Sequence, residues 1–433
     1  MGQMQTPTAS SGSEHTFRAW LTVMGAFFTF FCSVGFINAF GVFQDYYESH
    51  QLRNYSSFDI SWIGSFSTFA LFAGAPIAGI LVDRVGPTVL LIFGGLAMLV
   101  AVFMTSLCHQ YYQFFLAQAV LLGAMGGSST GGVIWPIVLN ELLNKDGVSF
   151  GWTIRIVGFI MLPLLVLAVL TVNPPAKKSS EDHHHRMLTE EEERNQTDEG
   201  YESQEVLQGE VKAHKRGLVS LLKDTTFLVL CSGLSISYLG MFSPFFYATS
   251  YARSLGHSTS FAFYLVSIVN AASLFGRILP GILADRYGHF NLCGTAALLS
   301  GAIALCWTAA KSSAGLVVWC LAYGLTSGVR IPSPLNQNYK AVNFANPNSQ
   351  AIMSLQSACA AHLAPHELHG TAVGFLMGSV ALTALFGTPI SGELVGSYGY
   401  LALSMYAGAT LVVGGLLIFV ARFKLERRVF ARQ

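Results

Sequence analysis

Polar side chains inside an apolar stretch are the first candidates for chemistry in this chain. Arg277 lies in such a stretch, and Asn270, Ser273 and Arg277 recur at spacings of three and four residues, which places them on one helix face. The arginine is about 10 Å from the helix end marked by Asp285. A charge at that depth usually faces a cavity or a partner, and a guanidinium fork suits a carboxylate. We expect this face to bind an anionic substrate; a structural ion pair or snorkelling toward the cytosol are the alternatives.

The aromatic run 243–247 is a second candidate, because Tyr247 would line the same cavity if its helix faced inward; lipid or helix contact explains it equally well. Enzyme chemistry is not indicated, since the chain has neither a nucleophile constellation nor a Walker-type phosphate loop. The histidine triplet 183–185 lies among charged residues and favours a solvated loop over a metal site. We expect no metal and no cofactor. The cysteines are scattered and are interpreted as buried apolar residues: Cys32, Cys108, Cys231, Cys293, Cys306, Cys320 and Cys359.

An internal repeat is the strongest pattern. The segment Gly79–Gly86 (GILVDRVG) returns 202 residues later as Gly281–Gly288 (GILADRYG), each time at the end of an apolar run. Glycines allow helix ends to pack closely, and an acid can accept hydrogen bonds at the N-terminus of a neighbouring helix. Simple turn chemistry would explain one copy, whereas two copies favour a latch between gate conformations. The proposed gating residues are Gly79, Asp83, Arg84, Gly86, Gly281, Asp285, Arg286 and Gly288.

The elements that must position these residues are membrane helices. Of the 433 residues, 52% are hydrophobic and 11% are charged, whereas soluble domains carry roughly 25% charged residues. A spanning helix needs about 20 apolar residues. Runs of this kind are predicted at 18–43, 60–82, 88–107, 152–172, 226–248, 260–284, 290–310, 313–328, 370–392 and 401–422, with a further long stretch at 112–143.

Lysine and arginine bias predicts the sidedness of the chain. The loops with Arg84 and Arg286, the central linker and the tail are richer in positive charge than the opposite loops, so both termini and the linker are predicted to be cytosolic. Asn54 begins a glycosylation sequon in an outward loop. The net charge of +1 gives no indication of a nucleic-acid partner. The predicted regions are a cytosolic tail (1–17), an N-terminal membrane bundle (18–172), a cytoplasmic linker (173–225), a C-terminal membrane bundle (226–422) and a second cytosolic tail (423–433).

The repeated motif resembles the G-x-L-x-D-R-x-G loop of the major facilitator superfamily. Further segments are similar to fungal members of its monocarboxylate porter family: 17–20, 35–43, 60–65, 151–155 and 275–281. The resemblance implies an all-α polytopic membrane protein with the major facilitator fold, two pseudo-symmetric bundles of six helices around a central cavity. It also implies a substrate-binding role for Arg277, which matches the family's substrate arginine.

Two departures bear on proton coupling. Asn38 stands where animal members of the family have a lysine that helps relay a proton, and Ser273 stands where they have an acid. Both positions are candidates for substrate binding, and the proton is retained as a second candidate partner.

The lengths of the two halves also differ. From Gly86 to Gly151 the chain has 65 residues, whereas from Gly288 to Gly399 it has 111. A polar, Asn-rich segment at 329–350 interrupts an apolar run, and we interpret it as a retained intron, which transcript sequencing would test. Even without it the first half lacks one helix near 123–132, so about eleven of twelve helices are expected. Either 112–143 crosses twice in strained form or the first half is defective.

The sequence therefore predicts a secondary transporter of a small organic anion, monocarboxylate-like, that works by alternating access in the plasma membrane. Efflux of a fungal secondary metabolite is the alternative transport function. A non-transporting membrane protein or an inactive remnant is the alternative of another class.

Overall fold

A computed structural model describes residues 38–85, 87–123, 131–171, 223–327 and 369–425, with isolated positions between 21 and 36, at 221 and between 356 and 364. Within α2 and α9, defined below, the side chains of 75, 76, 78–85 and 274–287 are not described. The linker, the 329–350 segment, both tails and Gly86 lie outside the described residues. All regular structure in the described ranges is helical, without a β-strand.

The helices of the first half coincide with the predicted spans 60–82, 88–107 and 152–172, whereas the first described helix overlaps the span 18–43 only at residues 40–43. They are α1 (Phe40–Ser49), α2 (Ser57–Val85), α3 (Pro87–Thr105), α4 (Tyr111–Phe114, continued by a π-helix Phe115–Leu121), α5 (Gly131–Asn140, continued by a π-helix Glu141–Lys145) and α6 (Phe150–Thr171).

The second half begins after residue 220. Its elements are α7 (Thr225–Met241), α8 (Ser243–Ser254), α9 (Thr259–Tyr287), α10 (His289–Leu305), a short 3-10 helix (Trp307–Ala309), α11 (Ser313–Ser327) and α12 (His369–Leu425). The predicted span 226–248 is thus divided at Phe242. The predicted spans 370–392 and 401–422 correspond to two helical segments within α12, which meet at a kink at Gly399, where the backbone is non-helical with a positive φ of 78°.

The sequence repeat extends to whole helices. Both α2 and α9 contain 29 residues, and the start of α9 follows that of α2 by the same 202 residues that separate the two motifs. A single residue separates each of these two helices from the helix that follows it. In the second copy that residue is Gly288, with φ of 83°, a conformation that other residues adopt only with strain. The final glycine of the motif is therefore explained by the backbone geometry of the break.

These breaks define one end of the molecule. We call the end with the α2–α3 and α9–α10 breaks the proximal end, and the end with the α1–α2 and α8–α9 turns the distal end. Asn54 is exposed in the distal turn between α1 and α2. Its glycosylation remains a prediction.

The region predicted to lack a helix contains two short limbs. The chain from Tyr111 to Lys145 has 35 residues for both limbs, which at about 1.5 Å per residue allows at most ~26 Å for each, short of the ~30 Å hydrocarbon core. Tyr111 donates a hydrogen bond to the Asp59 carbonyl, and Ser67 donates to the Gln118 carbonyl, so α4 runs alongside α2 from the distal end inward.

The second limb returns toward the distal end. Near its C-terminus Glu141 accepts a hydrogen bond from Tyr264, which lies in the second turn of α9. Phe150, the first residue of α6, then packs against Tyr47 and Phe114. The described contacts thus place both ends of this region at the distal end of the molecule, as a double passage of 112–143 requires, and the double passage itself stays a prediction.

A labelling experiment tests this arrangement. With exposed Cys306 replaced by serine, cysteines at His109 and Asp146, which are both exposed and flank the two limbs, should react equally with a membrane-impermeant maleimide added to one side of sealed vesicles. Reaction of only one of them from that side would show that the region crosses the membrane an odd number of times.

Helices of the second half pack through small residues. A Cβ on Gly414 of α12 would overlap the side chain of Ser237 on α7, and a Cβ on Gly301 of α10 would lie 3.0 Å from the Gly408 carbonyl. Such contacts are the usual way in which membrane helices approach each other closely.

Length and composition would allow five of the described helical segments to cross a membrane, at 88–105, 150–171, 225–254, 289–309 and 371–425. Shorter apolar helices lie at 259–273 and 313–327. The outer surfaces of the five long segments carry large apolar side chains such as Phe93, Leu170 and Leu401, which fits a lipid-facing exterior.

Candidate functional site

The interface between the two halves contains the described candidates for the site. It is formed by α1, α2 and α5 on one side and by α7, α8, α9 and α12 on the other.

Two of the predicted substrate residues lie buried on α9. Asn270 donates its side-chain amide to the Val266 carbonyl at 2.8 Å, while its Oδ1 atom is buried without a hydrogen-bond partner among the described groups. Ser273 is fully buried one turn later. Arg277 continues the same face, but its side chain lies outside the described residues. The unpartnered amide oxygen is an acceptor that a bound solute could satisfy.

Helix α11 packs beside this face. A Cβ on Gly324 would overlap the Val269 carbonyl and the Ala272 side chain, so the α11 contact lies next to the stripe of Asn270 and Ser273. Asn38, on the opposite half, is partly buried just before α1.

Tyr247 is packed between helices, whereas the sequence predicted that it lines a cavity. Its ring is fully buried and its hydroxyl donates to the Thr388 carbonyl at 3.2 Å, which ties α8 to α12. Gly392 provides room for the ring, since a Cβ there would lie 2.7 Å from the Tyr247 hydroxyl. Tyr247 therefore supports the helix packing within the interface, and a direct contact with substrate stays a prediction.

The proposed gating residues divide between described and undescribed positions. Gly79, Asp83 and Arg84 belong to α2, and Gly281, Asp285 and Arg286 belong to α9. Their side chains are not described, so the latch between them remains a prediction.

An aromatic seam connects the halves, and sequence reasoning identified only part of it. Phe40 contacts Phe246 at 5.0 Å between ring centroids, and Phe72 contacts Tyr238 edge-on at 5.7 Å. Phe242 lies between Phe246 and Tyr238, completing the seam. The four-residue spacing of positions 238, 242 and 246 was the signal that would have predicted it. Aromatic faces in this place can stack against a planar solute.

Two glycines allow the seam to close. A Cβ on Gly64 of α2 would overlap the rings of Phe40 and Phe246, and a Cβ on Gly41 of α1 would overlap the Phe245 carbonyl. The absence of side chains at these two positions lets α1, α2 and α8 meet with backbone and ring in direct contact.

At the distal end the halves are joined by polar contacts, which we call the distal seal. Arg253 on α8 forms an ion pair with Asp45 on α1 at 2.9 Å and also donates to the Ser49 hydroxyl at 2.6 Å. Ser250 donates to Glu48 at 3.3 Å. The sequence gives no local signal for these contacts, since Asp45 and Glu48 lie just beyond the predicted span 18–43 and Arg253 is distant along the chain.

The seal continues inward along α2. The Ser65 and Thr388 hydroxyls are hydrogen-bonded across the interface, and Trp62 packs edge-on against Phe386 at 5.9 Å. With Glu141 and Tyr264 on the α5–α9 side, the described contacts close the distal half of the interface as deep as Phe72.

The ion pair is expected to make a moderate contribution to this closure. The Arg253 side chain is 36% exposed, and a partly exposed pair is worth about 1 kcal/mol, or roughly a fivefold shift in a two-state equilibrium. R253Q and D45N should each raise labelling of a cysteine at buried Ser65 by about this factor, and the charge swap D45R/R253D should restore much of the protection. Unchanged labelling in both single variants would show that the pair does not stabilise the closed end.

Comparisons with known proteins agree with this architecture. The family model of the Major Facilitator Superfamily matches residues 124–349, and that described as Sugar (and other) transporter matches residues 19–146. An MFS-type transporter of Aspergillus fumigatus is 44% identical over 95% of this chain and 93% of its own length. The agnestins efflux protein of Paecilomyces divaricatus is 42% identical over 96% of this chain and 89% of its own length.

A solved structure shows the same fold. A point mutant of the nucleoside transporter NupG superposes with a TM-score of 0.66 at 12% identity, covering 93% of this chain and 99% of that chain. At this identity the likeness concerns the fold alone. The sequence matches are transporters rather than enzymes, and together with the helical fold they show that this chain is a multi-pass membrane transporter belonging to the major facilitator superfamily.

Proposed function

We propose that the chain exports a fungal secondary metabolite with an aromatic body and that the two halves rock around a central site. The aromatic seam is the observation that supports this substrate type, because its five rings lie at the centre of the interface and would become a stacking surface for an aromatic solute when the halves part. The similarity to the agnestins efflux protein supports the direction of transport.

In this proposal the distal end faces away from the cytosol, and the closed distal seal corresponds to the state that receives substrate from the cytosolic side. Rocking would open the seal and part the rings of the seam, which exposes the solute to the outside. The plasma membrane is the location that export requires, with termini and linker in the cytosol.

Arg277, Asn270 and Ser273 are proposed to hold the polar part of the solute. Of this group the structure describes the buried, unpartnered Asn270 Oδ1 atom, which is an acceptor for a substrate hydroxyl or amine. The arginine would suit a carboxylate on the same solute, so that an aromatic acid fits both parts of the site. A small aliphatic monocarboxylate would use only the polar part.

Two hydroxy acids, one with an aromatic ring and one with an aliphatic chain, test the proposal. Inside-out membrane vesicles carrying the chain should accumulate labelled orsellinate, which is aromatic, above vesicles without it, whereas labelled lactate, which is aliphatic, should remain at background. Accumulation of lactate alone would favour the monocarboxylate function. Accumulation of orsellinate only in right-side-out vesicles would contradict export.

A further inference from the structure

Glu48 is a carboxyl group in the distal seal without a cationic partner in its described surroundings. Its Oε2 atom accepts a hydrogen bond from Ser250 of the other half at 3.3 Å, and its Oε1 atom accepts one from Gln44 at 3.2 Å. The cation of the seal, Arg253, is instead bound to Asp45 and Ser49. Closing the seal therefore leaves one partly buried carboxylate at the contact between the halves that no described positive charge compensates directly.

The surroundings of Glu48 disfavour its charged form. Glu48 lies in the last turn of α1, next to the exposed residues Ser49 and His50, and therefore in the distal mouth. Burial raises the pKa of its carboxyl above the ordinary value, and the negative charge of Asp45 adds to the increase. Hydrogen bonds from Ser57, Gln44 and Ser250 oppose the increase without cancelling it.

All three helices that meet here contribute titratable or charged groups. Asp45 is also buried, which raises the pKa of its carboxyl, but the ion pair with Arg253 opposes that increase. The groups that face this pair of carboxyls are His50 on α1, Tyr247 and Arg253 on α8, and Tyr400 on α12.

We propose that Glu48 is a proton-binding site that controls the distal seal, taking up a proton from the outer solution when the seal closes and returning it there when the seal opens. The chemistry is protonation of one carboxylate to a carboxylic acid, with no other group transferred. This site stands apart from Asn38 and Ser273, the positions where the relay residues of related porters are replaced in this chain.

The direction of the pH effect follows from linkage. In the open state the carboxyl faces water and keeps its ordinary pKa, whereas in the closed state the pKa is raised. At pH values between these two pKa values the closed state binds more proton than the open state, so acidification through this window favours closure. At pH values above both, closure must enclose the charged carboxylate, and the open state gains population.

The proposal is tested without any substrate, which separates its outcome from that of the proposed export. A chain with C306S and a single reporter cysteine at Ser65, which is 1% exposed in the closed seal, is labelled with a membrane-impermeant maleimide at external pH between 5 and 7.5. Labelling of a D146C reporter at the exposed distal surface corrects for the pH dependence of thiol reactivity. The corrected rate at Ser65 should fall at least fivefold on acidification.

Variants identify the proton-binding group. E48Q, which imitates the protonated form, should give slow labelling at every pH, and E48D should keep a pH dependence because it keeps a carboxyl. D45N should label faster overall yet retain the acid-induced decrease. An unchanged pH dependence in E48Q, or its loss in D45N alone, would overturn the assignment to Glu48. If E48Q does not reach the membrane, loss of the pH response in E48D would overturn the proposal equally.

Discussion

Replacing Gly41 by valine is expected to reduce export at least tenfold while the protein still reaches the membrane. Gly41 lies on α1 where a Cβ would overlap the carbonyl oxygen of Phe245 and approach that of Phe246 to 3.2 Å. Backbone of a packed helix cannot turn aside as a flexible side chain can, and overpacking of this kind typically costs about 1–3 kcal/mol. Because the contact joins the two halves, the cost falls on the closed distal seal and leaves each half intact.

The experiment combines orsellinate accumulation in inside-out vesicles with maleimide labelling of a cysteine at Ser65. G41V should lose transport and gain labelling, because the distal end would remain open. Gly396 provides the matched control, since it lies in α12 and a Cβ there meets nothing within 4 Å, so G396V should match the unmodified chain in both assays. Normal transport by G41V, with Ser65 protected, would show that the closed contact between α1 and α8 is not part of the cycle.

Replacing Arg277 by glutamine is expected to lower the transport efficiency for orsellinate by at least tenfold. Loss of a charge-assisted, two-point contact with a carboxylate costs about 1.5–3 kcal/mol, and tenfold corresponds to about 1.4 kcal/mol. R277K keeps the charge without the fork and should retain an intermediate efficiency. Initial rates over a range of orsellinate concentrations give KM and maximal rate separately.

Two controls separate substrate binding from a structural role. Methyl orsellinate lacks the carboxylate, so its transport should respond much less to R277Q than that of the acid. Arg155, which contacts Ser106 and the ring of Trp152 on the lipid-facing side of α6, is a membrane arginine away from the interface, and R155Q should leave both rates within about twofold. Equal losses for the acid and its ester would assign Arg277 to a structural ion pair.

The sequence allowed the helical architecture to be predicted because the relevant forces are local. Apolar runs of membrane length predict helices wherever the backbone cannot bond to water, and the ends of α2 and α9 agree with the predicted spans within a few residues. The repeated glycine predicted a break between two helices, and the positive φ of Gly288 supplies the physical reason.

Side-chain contacts across the interface could not be predicted from the sequence, because they depend on which helices meet. Arg253 and Asp45 are 208 positions apart, and no local pattern indicates that they form an ion pair. The aromatic residues of α7 and α8 have helical spacing, yet the same spacing is typical of a lipid-facing stripe. Their position opposite Phe40 and Phe72 follows only from the packing of the halves.

The limbs α4 and α5 also could not be predicted from the sequence, for a different reason. Glycines between residues 123 and 132 indicated a disturbance there, but composition cannot distinguish a deleted helix from two shortened ones. The π-helical turns at Phe115–Leu121 and Glu141–Lys145 are typical of strained or functional positions in helices and have no simple sequence signature.

These shortened limbs also affect the surrounding bilayer. Tyr112, Leu116 and Val120 point outward from α4, and Ile134 points outward from α5. Beside these limbs the lipid tails therefore meet an apolar surface that is several ångströms shorter than the ~30 Å hydrocarbon core. Lipids adapt to such a mismatch by local thinning, at a cost of fractions of a kcal/mol per ångström. We therefore expect the bilayer to thin locally beside α4 and α5, so that export by the reconstituted protein depends on the acyl-chain length of the surrounding lipids.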